Sequence, residues 1–119
     1  MLKLLEESLK INFENETAVL QFDGEVIFDN SNQLKEAAKD RLDQEEQIGN
    51  LIVDLSQVPY LDSSGVGVLL SLFKFMRSRD GSLAIAGPNE KIQRVFEVTK
   101  MTEIISAYEN VDQALNEFK

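Results

Sequence analysis

Leu51-Ile52-Val53 is an uninterrupted aliphatic run closed by Asn50 on one side and Asp54 on the other. A strand with one wet face alternates apolar and polar residues; a run that does not alternate needs cover on both faces. Such cover comes most readily from crossover helices, so the run predicts a central parallel strand in an α/β sheet. The flanking pattern agrees. Residues 9–13 and 17–22, joined by Glu14-Asn15-Glu16, read as a β-hairpin in which Leu9, Ile11 and Phe13 alternate, and Gly24 then breaks the chain. Residues 83–86 read as a second short buried strand ended by Gly87-Pro88, and Ile104-Ile105 as a last one.

Helical spacing fills the intervals. Asn30-Ser31-Asn32-Gln33 supplies an Asx N-cap with a glutamine at the third helical position, and predicts a helix to about residue 43 with Leu34, Ala37, Ala38 and Leu42 on one side. A second helix is expected over 63–79, stopped at Asp80-Gly81 with Gly81 in the left-handed position past its end. A third covers 89–99 with Ile92, Val95, Phe96 and Thr99 on one side, and Asn110-Val111-Asp112-Gln113 opens a fourth running through Phe118. The expected fold is α/β: a mixed sheet with a parallel centre and an N-terminal hairpin, about four helices packed mainly on one face, and right-handed crossovers. Residues 1–119 are expected to form one domain.

Composition narrows the chemistry. The chain has no cysteine and no histidine. That excludes disulfides, thiolate or imidazole metal sites, a cysteine nucleophile and Ser-His-Asp catalysis, so neither metal nor cofactor is expected. Twelve basic residues against twenty-one acidic ones leave a net charge of −9, the wrong sign for a nucleic-acid partner. The imbalance is uneven: residues 1–50 hold five basic and twelve acidic side chains, whereas 63–100 hold six basic and three acidic. The opening Met1-Leu2-Lys3-Leu4-Leu5-Glu6-Glu7 is too short and acidic for a signal peptide, and no apolar run approaches the roughly 18 residues of a membrane span. The expectation is a cytoplasmic protein without membrane insertion. Nothing in the pattern marks an oligomeric state.

One segment departs from scaffold. In Asp62-Ser63-Ser64-Gly65-Val66-Gly67-Val68 an acid and two hydroxyls precede two glycines where a loop hands over to a helix. Ser63 stands where an N-cap belongs, accepting hydrogen bonds from the first turn. The same place, with its unsatisfied N–H groups and partial positive charge, also accommodates a phosphate. Glycine inside a helix costs up to about 1 kcal/mol relative to alanine, so Gly65 and Gly67 need a reason; one is close approach of a partner. On the wheel, Gly67, Ser71, Lys74 and Ser78 form one stripe, Val66, Leu69, Leu70 and Phe73 face one way, and Val68, Leu72 and Phe75 another, with Met76 between. So wide an apolar arc means burial on two sides or an exposed patch. The expectation is a patch, with Val68, Leu72 and Phe75 as partner contacts.

Catalytic readings fit the residues poorly. Asp54 at a buried strand end resembles the phosphoacceptor of response-regulator receivers, but no acidic pair follows a first strand, and the chain opens with a hairpin. Haloacid-dehalogenase-like phosphatases place a second aspartate two residues on, where Ser56 stands. No G-x-x-x-x-G-K-[ST] loop or G-x-S-x-G elbow is present. An enzyme is not expected.

The Asp62–Val68 heptad, downstream of the strand-end dipeptide Asp54-Leu55, resembles the STAS-domain anti-sigma factor antagonists of the SpoIIAA and RsbV type. Gly24-Glu25 after the second strand and Arg94-Val95-Phe96 in the third helix extend the resemblance over nearly the whole chain. It implies a switch in partner choice. The unmodified protein would bind a GHKL-type kinase anti-sigma factor and release its sigma factor. Phosphorylation of Ser63 would switch it off, and a PP2C-type phosphatase would restore it. Asp62 and Ser64 would support the switch loop, Gly65 and Gly67 would admit the partner, and the Gly24-Glu25 loop would border the site. One departure stands out: Ile27 replaces the acid usual in G-E-[LIV]-D, with Asp29 two positions on. The competing expectation is a STAS-fold assembly subunit, as in stressosome-like or lipid-transport complexes, without a phosphorylation switch.

Overall fold

The non-alternating run lies where that expectation puts it. Asn50–Gln57 forms β3, the middle strand of five, and Leu51, Ile52 and Val53 are all buried. The structure, a computed structural model, describes residues 8–118; the opening heptapeptide lies outside them. β1 (Leu9–Glu14) and β2 (Thr17–Asp23) make the antiparallel hairpin, and β2, β3, β4 (Ser82–Ala86) and β5 (Ser106–Tyr108) run parallel in the order β1-β2-β3-β4-β5. Among the described residues the helices of about two turns or more are α1 (Phe28–Asp43), α2 (Ser63–Ser78), α3 (Glu90–Thr99) and α4 (Val111–Glu117). Leu51, Val53 and Leu55 share one buried cluster with residues of α1, α2 and α3, while Ile52 joins a smaller one with Ala86 and Ala114 of α4. Three helices therefore cover one face and α4 the other, which is why β3 does not alternate.

Three local expectations are corrected. α1 begins at Phe28, ahead of Asn30; Asn30 is its third residue, and its Oδ1 accepts from the Ile27 N–H at 2.9 Å. The left-handed residue after α2 is Asp80, with φ 58°, not Gly81. The Asp80 N–H donates to Arg77 O at 3.1 Å and the Gly81 N–H to Met76 O at 2.7 Å, the paired bonds of a Schellman end. Gly81 is there for space: a Cβ would lie 2.6 Å from Gly49 O. Finally, Ile104-Ile105 is not a strand. Lys100 turns left-handed (φ 61°) into a 3₁₀ turn over Met101–Glu103, and the N–H groups of Ile104 and Ile105 both donate to Met101 O, at 2.9 and 2.8 Å. With their donors used locally, the edge strand starts at Ser106, two residues later than expected.

Asp54, weighed above as a phosphoacceptor, is held as a structural group. Its carboxylate accepts from the Ser56 N–H at 2.9 Å and from Gln21 Nε2 at 3.2 Å.

Candidate functional site at the start of helix α2

The N-cap of α2 is Asp62, not Ser63. Its Oδ1 accepts from the Gly65 N–H at 3.0 Å, and its Oδ2 accepts from the Phe28 N–H, the first residue of α1, at 3.1 Å. One carboxylate thus caps two helices. The N-termini of α1 and α2, each carrying partial positive charge, converge on it. Loss of water alone would raise the Asp62 carboxyl. The N–H groups of Gly65, Phe28, Ser64 and Asp62 itself outweigh that and hold it below its ordinary value of 3.8.

Because the aspartate does the capping, Ser63 is left at the first helical position, exposed, its hydroxyl engaged by no described residue. Ser64 follows, half-buried. An exposed hydroxyl beside two positive helix ends is open to an incoming phosphoryl donor and can carry the resulting anion.

The second wall is the loop after β2, which carries Gly24 and Glu25. Gly24 adopts φ 105°, a conformation that favours glycine, and its N–H donates to Gln57 O at 3.0 Å. Val26 pairs with Leu61 in a parallel bridge, its N–H donating to Tyr60 O at 3.2 Å. Glu25 is exposed, and its carbonyl accepts from Asn30 Nδ2 at 2.8 Å. Ile27, the departure from the family pattern, serves as the N-cap position of α1.

The two glycines separate. Gly65 is buried, and a Cβ there would collide with Val26 O and lie 2.6 Å from Leu61 Cβ. Its role is the close approach of the 24–28 loop, a correction to the access expected of it. Gly67 is exposed, with nothing within 4 Å of a would-be Cβ.

The apolar-patch expectation is also corrected. Val68 and Leu72 are 3% and 0% exposed, so they are not available to a partner. α1 lies along α2 and buries Leu34, Ala38 and Leu42 in the same core. Phe75 is half-buried, with Lys39 Nζ 6.0 Å and the Arg79 guanidinium 5.7 Å from its ring centroid. The wide apolar arc is the mark of a helix covered on two sides.

Two exposed side chains near the site escape sequence reading. Phe28 is 79% exposed while its backbone is fixed to Asp62, and Tyr60, three residues before Ser63, is 41% exposed. The only sequence signal for Phe28 is an aromatic beside Asp29-Asn30, and a cap expected at Asn30 leaves it outside the helix. Asn89, expected as the first residue of its helix, is instead the N-cap of α3 and also a tie: while Oδ1 accepts from the Ile92 N–H at 2.9 Å, Nδ2 donates to Pro59 O at 3.0 Å, anchoring α3 to the approach to Ser63. Among the described residues no group of acidic side chains could hold a metal, and no helix is long and apolar enough to cross a membrane.

Known proteins resemble this chain in sequence and in fold. An anti-sigma-B factor antagonist of Listeria monocytogenes is 38% identical over 66 residues, 56% of this chain but only 57% of that protein's length. An anti-sigma F factor antagonist of Paenibacillus polymyxa is 26% identical over 114 residues, covering 94% of this chain and 97% of its own. The anti-sigma factor antagonist SpoIIAA has the same fold at 18% identity. Its unphosphorylated form superposes with a TM-score of 0.77 over 92% of this chain and 95% of its own, and the phosphorylated Bacillus form with 0.70 over 93% and 99%. Residues 8–114 match the STAS domain model, and the chain belongs to that family.

Proposed function

We propose that the chain is a cytoplasmic anti-sigma factor antagonist switched by phosphorylation of Ser63. The unmodified form binds a GHKL-type kinase anti-sigma factor and frees its sigma factor. The kinase then transfers phosphate: Ser63 Oγ bonds to the γ-phosphorus of ATP, the bond to ADP breaks, and the hydroxyl proton passes to a base on the kinase. A PP2C-type phosphatase hydrolyses the ester and returns the serine. The chain itself catalyses nothing; it supplies a hydroxyl and a surface.

The observation that carries this reading is the division of labour between Asp62 and Ser63. The aspartate holds both helix starts together, so the adjacent serine is exposed and its hydroxyl is engaged by no described residue. Two relatives named as anti-sigma factor antagonists, and a SpoIIAA structure in phosphorylated form, support it. The test is incubation with candidate GHKL kinases and ATP, read by intact mass and site mapping. One phosphate on Ser63, abolished by Ser63→Ala, is expected. Phosphate on Ser64 or Thr99 with Ser63 unmodified would overturn the assignment.

A further inference from the structure

α3 buries Ile92 and Phe96; beside them Lys91, Arg94, Val95 and Val98 follow the i, i+3, i+4, i+7 spacing of one helical stripe, with Val95 half-buried against the core and the other three exposed. This stripe and Tyr60 border an open groove of about 530 Å³ that ends at Thr99. Its lining is apolar at Val95, which is half-buried, and at Val98, which is 78% exposed. Lys91 and Arg94 stand along it against one acid, Glu90, in a chain whose net charge is −9. The groove is also fixed relative to Ser63. Asn89 caps α3 and donates to Pro59 O at 3.0 Å, while Tyr60 O accepts from the Val26 N–H at 3.2 Å in the strand-like segment that leads into Asp62.

We propose that this groove is a second docking surface, and that it takes an amphipathic helical segment of the anti-sigma factor, apolar along one side and acidic at its flanks. Charge chooses the flanks, because Lys91 and Arg94 are cations bordering an apolar strip. The stripe chooses a helix, because its spacing matches anchors one turn apart. Continuity chooses the partner: the loop that presents Ser63 also supplies Tyr60, so a protein seated over Ser63 is beside the groove. The identity of the partner rests on the reading above; the groove and its chemistry do not.

Calorimetry should compare the wild type, Val98→Asp and Arg94→Glu against the kinase that phosphorylates Ser63. Both side chains are exposed, so circular dichroism and melting temperature should stay as in the wild type. Each substitution is expected to weaken binding about tenfold or more, with Ser63 still fully phosphorylated at saturating kinase. Wild-type affinity in both variants overturns the groove and leaves the switch standing. A second arm needs no kinase: a labelled helical peptide with leucine on one face and glutamate at its flanks is titrated onto the chain. Binding that Val98→Asp and Arg94→Glu both weaken supports the groove even if no kinase is found. No binding, or equal binding of a lysine-flanked version, overturns it.

Discussion

Gly65 and Gly67 stand two residues apart and invite one explanation, yet their surroundings differ. Gly65 leaves no room for a methyl group, because Val26 O and Leu61 Cβ already occupy the space. Gly67 leaves open space in the body of a helix. Local structure therefore gives no reason for a glycine at 67, and no contact among the described residues offsets its helical cost of up to about 1 kcal/mol. The two alanine variants should move in opposite directions. Gly65→Ala is expected to destabilise by about 1–3 kcal/mol, the usual penalty of overpacking. Gly67→Ala should stabilise by about 0.5–1 kcal/mol while weakening the partner that approaches Ser63. Urea unfolding reads the first pair of effects and calorimetry the second. A destabilised Gly67→Ala would place the reason for that glycine inside the fold.

At the scale of elements, α2 is the test of how far pattern reading reaches. Its limits and its wide apolar arc are visible in the sequence, but the arc has two solutions and only the neighbour of the second side distinguishes them. That neighbour is α1, whose own stripe of Leu34, Ala38 and Leu42 pairs with no particular face until the sheet order is known. Leu72→Ala should therefore behave as a core truncation and cost about 2–5 kcal/mol in urea unfolding, with loss of partner binding only in proportion to unfolding. A loss below about 0.5 kcal/mol, within the range of surface changes, would restore the exposed-patch expectation. The same limit explains the other misses. The β3 run, the hairpin and the Asn110 cap are local signals and are read correctly. The cap of α2 is not, because Asp62 is chosen by a contact to Phe28, 34 residues away. Asp and Ser are about equally good caps, so adjacent candidates carry no preference of their own. The Ile104-Ile105 strand fails for a related reason: hydrogen bonds to Met101 took the donors that a ladder would have used.

For the whole molecule, the question is what a phosphate on Ser63 changes. A phosphoserine adds about −1.5 to −2 charge at neutral pH. It would sit beside the Asp62 carboxylate, an unfavourable neighbour, but also beside the N-terminal ends of α1 and α2, both 16 residues long. Interaction with such an end is typically worth about 0.3–1 kcal/mol where solvent reaches it, so the two effects oppose each other and water screens both. The fold itself has little reason to respond, because Ser63 is exposed and its hydroxyl supports no cap. An interface responds differently. A phosphate enclosed by a docked partner loses its water, and removing one partner of a buried charge pair costs on the order of 2–5 kcal/mol, where each 1.4 kcal/mol is roughly tenfold in affinity. The phosphorylated chain should therefore keep its circular dichroism spectrum, and its melting temperature within a few degrees, while its affinity for the kinase anti-sigma factor falls at least tenfold. Ser63→Asp should reproduce only part of that loss, since a carboxylate brings less charge and fewer acceptor oxygens. Titration calorimetry of the unmodified, phosphorylated and Ser63→Ala forms supplies the measurement, with thermal melts of each. A large drop in melting temperature on phosphorylation would mean that the switch acts by refolding the site. Equal affinities for all three forms would defeat the switch, and the same surface would then be the fixed docking face of an assembly subunit.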